Sequence, residues 1–324
     1  MTKHYTHLVL SGGGMSGLVY LGALRYLQQE GYDKHILHIA GASIGALFAT
    51  AFALDMSMGD LEQKYKEFLS NEEKCLLPTF TMDTIIESYD NLGVDDGKRL
   101  TEPIEDIVGN LTFLELSKKT GKNLIISATH IETMLPTYFS VDNTPHVLVL
   151  DAVKASMAIP LFVRPIEIGD DYYMDGGVTD GIPVNAFSNV SPESILVLHL
   201  ARNSVKVKSL QEKPSFIKLM TSMLQTFLRN YLGIRLLENT YPNYCQFTMC
   251  PVSFIPLKWE DEKLKITISN EKIDESVIVG YTKLQQFLQK SGAKEVNVQM
   301  AETGWWIGRY DREQKLYREE AATK

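Results

Sequence analysis

The chain has 324 residues, 44% hydrophobic and 22% charged, the make-up of an ordinary globular protein long enough for one large α/β domain or two smaller ones. Against 32 basic residues stand 40 acidic ones, a formal charge of −8. Indiscriminate adhesion to nucleic acid is thereby excluded as a default, and bulk attraction to anionic membranes is disfavoured.

The opening MTKHYTHLVL has only a three-residue apolar stretch (Leu8 to Leu10) before a run of glycines, so no secretory signal is expected. No run approaches the roughly 18 apolar residues of a membrane span. With Thr2 in second place N-myristoylation is not expected, nor is prenylation at the terminal AATK. Any membrane contact is expected to be peripheral. Cys75, Cys245 and Cys250 lack C-x-x-C spacing and cannot all pair, which suits reduced thiols in a cytosolic compartment.

Residues 7–10 read as a short strand running into Ser11-Gly12-Gly13-Gly14-Met15-Ser16-Gly17, with a helix over 18–29 closed by Gly31. A second apolar strand, carrying Ile36, Leu37 and Ile39, ends at Gly41-Ala42-Ser43-Ile44-Gly45, and a small-residue apolar helix follows at once. These elements make a βαβ unit with a parallel sheet. Helices are predicted over 58–69, over 101–110 with Glu102 and Pro103 at its start, and over 112–120, while 91–98 reads as turns. Strands follow at 123–129 and 137–141, then a helix over 150–157 that stops before Ile159-Pro160. A short strand over 172–174 leads into Asp175-Gly176-Gly177, and 194–200 has the apolar character of a strand buried on both faces.

Farther on, Phe216, Leu219, Met220, Met223, Leu224, Phe227, Leu228 and Tyr231 fall on one stripe of a long helix. That stripe fits a helix packed on the core, or a lid or membrane-facing element with an adaptable methionine surface. A strand near 246–249 and a helix over 270–289 complete the chain before a charged tail. No repeat or low-complexity linker divides it. One domain over 1–324 is expected, with a motif-bearing core of about 5–200 and additions over 201–324.

Strand, tight turn, helix is the setting that G-x-S-x-G requires. Gly41 and Gly45 leave room around Ser43, whose hydroxyl then stands above the sheet near the N–H groups of the next helix. Ester hydrolysis by a serine also needs a base and oxyanion donors. The amides of Gly12, Gly13 and Gly14 can turn into one concavity, and parallel strands would place it beside the elbow. Gly12-x-Gly14-x-x-Gly17 also matches a dinucleotide fingerprint. Yet the second strand ends in Ile39-Ala40-Gly41 with no acidic residue for a ribose, and Asp33 precedes it. For the base two readings stand. One is a triad of Ser43, Asp175 and His199; the other is a dyad in which Asp175 itself takes the proton, its pKa raised by burial.

Together SGGGMSG (11–17), GASIG (41–45), ASMAIP (155–160), DGG (175–177) and GIPV (181–184) resemble the patatin-like phospholipases. The resemblance covers about residues 5–190. It implies a three-layer α/β/α sandwich with a mostly parallel central sheet, and metal-free hydrolysis of lipid acyl esters, phospholipids included, with no cofactor. Carried over, Ser43 is the nucleophile, Asp175 the base, and the glycine loop the oxyanion hole with the Gly13 and Gly14 amides as donors. Many members carry Arg or Lys where this chain has Ser16, which removes a positive charge from that loop. A low-turnover lipid-binding or regulatory module on the same fold is the alternative reading.

Other features carry less. Leu18, Ile44, Met157, Ile159 and Phe162 are apolar near the motifs and are candidates for an acyl pocket. His4, His7, His35 and His38 have no partners at ligand spacing, so no metal site is expected. Lys206, Lys208, Lys213 and Lys218 form a basic patch, and Trp305-Trp306 fits either an interfacial anchor or a packing pair.

Overall fold

The computed structural model describes residues 5–71, 93–201, 240–248, 250–252, 257–260, 263–266 and 268–292. The methionine-rich stripe, the basic patch, His4, Cys75, the tryptophan pair and the charged tail lie outside the described residues.

In chain order, β1 (His7–Leu10) leads through a 3-10 turn (Gly14–Leu18) into α1 (Val19–Gln29), and β2 (His38–Ala42) leads straight into α2 (Ile44–Ala53). Next come α3 (Met58–Ser70), β3 (Gly93–Asp95), α4 (Lys98–Val108), α5 (Phe113–Thr120), β4 (Asn123–His130), β5 (Pro136–Ser140) and α6 (Val149–Met157). They are followed by β6 (Leu161–Val163), β7 (Ile166–Ile168), β8 (Asp171–Asp175), β9 (Ile195–Leu200) and β10 (Tyr244–Phe247). A hairpin of β11 (Leu257–Glu260) and β12 (Lys263–Ile266) precedes α7 (Asn270–Gly292).

One expectation needs correction. The sequence predicts turns over 91–98 and a helix from 101, but β3 lies in that stretch and α4 starts at Lys98. The helix can begin early because Asp95 accepts the Gly97 N–H at 2.8 Å and Asp96 accepts the Lys98 N–H at 3.1 Å. Pro103 is then inside the helix, where it forgoes one backbone bond. The strands β6 and β7 were not foreseen, since three residues are too few to display a period.

The main sheet runs β10-β9-β1-β2-β4-β8-β7, with β5 also paired to β4. From β10 to β4 every pair is parallel, and around β4, β5, β7 and β8 the pairs are antiparallel. Alternation sorts the side chains. Leu8, Leu10, Ile39, Leu196 and Leu198 enter the large core beneath α1 and α2, while Val9, Ala40, Ile195 and Val197 face Ile182, Val184 and Phe187 on the other side. This is an α/β fold with a mostly parallel central sheet. Among the described residues its second face is covered mainly by the 182–190 segment and its 3-10 turn (Val184–Phe187).

One detail of register positions everything that follows. Ser127 of β4 pairs with Ala42 of β2, and the next residue, Ala128, pairs with Asp175 of β8. Both Ser127 and Ala128 pair with β5 as well, and a strand has only two edges. The strands β2 and β8 therefore share one edge of β4 and run toward each other. Their C-terminal residues meet there.

Candidate active site

Ser43 is the residue immediately after β2, and Asp175 is the last residue of β8. The head-on meeting of those strands closes the gap. Ser43 Oγ donates to Asp175 Oδ2 at 2.7 Å, both residues are buried, and no other side chain stands between them. The other carboxylate oxygen accepts the Gly177 N–H at 2.7 Å. A backbone bond from Asp175 N–H to the Ala158 carbonyl and a bond from the Thr129 hydroxyl to the Asp175 carbonyl fix the residue on either side.

The elbow's sequence is dictated by packing. A Cβ on Gly41 would stand 2.4 Å from the Gly45 carbonyl oxygen, and one on Gly45 would stand 2.3 Å from that of Leu10. Only glycines let α2 press this closely on β1 and β2. The turn leaves Ser43 at φ 54°, ψ −128°, a region that costs a non-glycine residue about 1–3 kcal/mol. Ser43 also occupies the N-cap position of α2 without a side-chain capping bond, and the first N–H groups and dipole of that helix favour negative charge at this spot. Its own N–H donates to Ser156 Oγ at 2.8 Å, and Ser156 in turn donates to the Ser127 carbonyl at 2.6 Å.

The glycine loop after β1 lies against the elbow: a Cβ on Gly12 would be 3.2 Å from Ser43 Cβ. Its three amides are not equivalent. Gly12 N–H donates to the Gly181 carbonyl at 2.9 Å, so this amide of the expected oxyanion loop is engaged within the loop's own support. The N–H groups of Gly13 and Gly14 precede the first bond of the 3-10 turn and meet no acceptor among the described residues. Gly14 holds φ 54°, where a side chain would be strained. Behind the loop, Ser11 Oγ accepts the Leu200 N–H at 2.9 Å, and Tyr20 Oη donates to the Ser11 and Leu198 carbonyls. At its far end Ser16 Oγ donates to the Val252 carbonyl at 3.0 Å.

His199 lies two strands from β2, and its Nδ1 is bonded to the Tyr244 hydroxyl at 2.8 Å. The geometry thus brings together Ser43, Asp175 and the glycine loop, and it turns the His199 ring toward Tyr244. Of the acyl-pocket candidates, Leu18, Ile44 and Met157 are buried in the core, while Ile159 and Phe162 are half-buried. Among the described residues no group of three or more His, Cys, Asp or Glu side chains could hold a metal ion. Burial pushes the thiols of Cys245 and Cys250 up to about 12, away from reactivity.

Sequence reasoning missed three contributors. Ser156 appears in the sequence only inside ASMAIP, 113 positions from Ser43. Asp180, five residues beyond Asp175, is buried, accepts from the Tyr138 hydroxyl and from Asn185 Nδ2, and holds the loop whose Gly181 carbonyl receives Gly12. The D-G-G-V-T-D-G run contained it. Val252 had no signal at all, since a backbone carbonyl leaves no mark in the side-chain pattern.

A family model described as patatin-like phospholipase matches residues 8–188. A probable lipid hydrolase, 463L, of invertebrate iridescent virus 6 is 29% identical over 191 residues, 56% of this chain and 63% of that protein. This chain therefore spans less than two thirds of that relative. The uncharacterized protein R571 of Acanthamoeba polyphaga mimivirus is 24% identical over 91% of this chain and 93% of its own length. Among solved structures, VipD from Legionella pneumophila superposes with a TM-score of 0.53 at 19% identity, covering 89% of this chain and 67% of that one, a likeness of fold. With a family match across more than half of its length, and the elbow and glycine loop inside that match, the chain belongs to the patatin-like phospholipase family.

Proposed function

We propose that this protein is a serine lipid acyl hydrolase of phospholipase A, lysophospholipase or esterase type, working through a Ser43–Asp175 dyad. The observation that carries the reading is the direct 2.7 Å bond between a strained elbow hydroxyl and a buried carboxylate. In the first half-reaction Asp175 takes the Ser43 proton as Oγ attacks the acyl carbonyl carbon. The oxyanion is received by the Gly13 and Gly14 N–H groups and by the start of α2. Collapse expels the alcohol, which recovers the proton from Asp175, and leaves the acyl group on Ser43. Water, deprotonated by Asp175, then releases the fatty acid and restores the hydroxyl. No step calls for a metal or an organic cofactor.

The substrate is a phospholipid or another acyl-ester lipid, reached at a membrane or micelle surface by a cytosolic protein. Among the described residues no helix is long and apolar enough to cross a membrane. We also infer that the described C-terminal elements belong to the same domain as the motifs. Cys245, Phe247, Ile273, Val277 and Leu284 share one core with α1 and α2, and β10 extends the main sheet.

The test is hydrolysis of a phospholipid panel and a fluorogenic acyl ester, with fluorophosphonate labelling alongside. Wild type is expected to turn over and to label at Ser43, and Ser43→Ala to do neither. His199→Ala should keep most of the turnover; its loss would point to the triad instead. A wild-type chain that neither labels nor hydrolyses would favour the lipid-binding module.

A further inference from the structure

Ser156 is fully buried near the end of α6, yet its hydroxyl does not bond back within its own helix. It bridges two other elements, accepting from the Ser43 N–H at 2.8 Å and donating to the Ser127 carbonyl at 2.6 Å. Ser127 is the β4 residue at which β2 ends, and its neighbour Ala128 is where β8 ends. The same Ser127 carbonyl is the surface on which Asp175's turn rests, since a Cβ on Gly176 would lie 2.0 Å from that oxygen. Ser127 Oγ, for its part, donates to the Asp180 carbonyl at 3.2 Å, on the far side of that turn.

From this triangle we propose that Ser156 is a positioning residue for the Ser43–Asp175 pair. The proposal rests on the hydrolase reading above and assigns Ser156 no contact with substrate. Its hydroxyl pins the amide of the strained elbow residue to the carbonyl that supports the carboxylate's turn. The two reacting side chains are thereby referred to one shared atom, Ser127 O. The bridge requires a group that accepts from one backbone and donates to another within a filled site. A hydroxyl does both, and alanine does neither. Without it the elbow is freed to relax from φ 54°, and Oγ moves off the line to the carboxylate.

The chemical step is sensitive to such a shift, because a displacement of about 1 Å at a reacting atom costs on the order of 100-fold in rate. Substrate binding does not depend on it in the same way. A role in positioning therefore predicts a split between binding and chemistry. A role in folding alone predicts lower stability with an unchanged rate per folded molecule.

The experiment measures the inactivation rate constant and the half-saturating concentration for a fluorophosphonate with wild type, Ser156→Ala and Ser156→Cys, each scored per folded molecule after a melting curve. Expected for Ser156→Ala is an inactivation constant lower by about 10- to 100-fold with half-saturation within about two-fold of wild type. Ser156→Cys, close in size and retaining a weak S–H donor and acceptor, should fall between the two. Folded Ser156→Ala, or Ser156→Cys if the alanine variant does not fold, labelling at the wild-type rate overturns the proposal while leaving the hydrolase reading intact. Wild type that fails to label overturns that reading, and the positioning role falls with it.

Discussion

The β1–β2 ladder is four residue pairs long, and its two ends are built on opposite rules. At the start His7 faces His38, their rings stacked at 4.5 Å, with Phe187 edge-on to His7 at 4.7 Å. Space there is filled with side chains, and the backbone is ordinary. At the finish Leu10 faces Gly41, and the space is cleared of side chains so that α2 can press its backbone onto the sheet. Ser43, two residues beyond Gly41, sits on a backbone at positive φ. A stretch of chain that breaks local preference to hold a hydroxyl against a buried carboxylate is spending stability on geometry. The histidine end has no such debt.

Asp175→Asn should produce the largest change and confine it to one end. The amide keeps the shape of the carboxylate but cannot take the Ser43 proton, so turnover should fall by about 10²- to 10⁴-fold. Melting temperature should stay near the wild-type value. Full activity on the phospholipid panel would remove Asp175 from the chemistry and leave the carboxylate as a turn cap.

Gly45→Ala probes the clearing itself. Its methyl would stand 2.3 Å from the Leu10 carbonyl, a backbone atom that cannot swing aside. Overpacking of this kind costs about 1–3 kcal/mol, occasionally more, so the melting temperature should drop and fluorophosphonate labelling should fall with it. A folded variant with unchanged labelling would show that the elbow tolerates a looser seat than its packing implies.

Much of this end was legible in the sequence. G-x-S-x-G after a strand, a triple glycine after the preceding strand, and D-G-G farther on were readable because each answers a steric need that only certain residues meet. What made them one site was not readable. The meeting of Ser43 with Asp175 depends on β2 and β8 sharing an edge of β4, and β8 is preceded by two strands of three residues whose period is invisible. The commitment of the Gly12 amide to Gly181 likewise depends on the loop that Asp180 holds. The bond from Ser16 to Val252 spans 236 positions and ends on a backbone carbonyl.

That last bond gives a smaller prediction. Ser16→Ala removes the tie between the glycine loop and a segment outside the family match, leaving the Val252 carbonyl without that donor. Loss of one such bond costs about 1 kcal/mol, so stability should fall modestly and turnover by a few-fold. The larger seam between the same two regions, where Gly22 of α1 and Gly280 of α7 let the helices touch backbone to backbone, remains in place. A variant with unaltered turnover would mean that the helix seam alone seats the loop.

The smallest effect on labelling belongs to the histidine end, whose contribution is visible only through pH. Burial, with a further contribution from His38, lowers His7 from 6.5 to about 4. The unfolded chain, with its ordinary imidazole, therefore binds more protons than the folded one between about pH 6.5 and pH 4. Stability from this group is fully present above the unfolded value and is lost as the pH falls through that window. His7→Gln deletes the titration while keeping a polar side chain in place. The melting temperature of the wild type should fall more steeply from pH 6.5 to 4 than that of His7→Gln, whatever constant offset the lost ring stacking introduces. Fluorophosphonate labelling at pH 7.5 should be the same for both, because the ring lies at the far end of the ladder from Ser43. Parallel melting curves would show that the packed end carries no proton debt, and altered labelling would show that the two ends are mechanically coupled along β1 and β2.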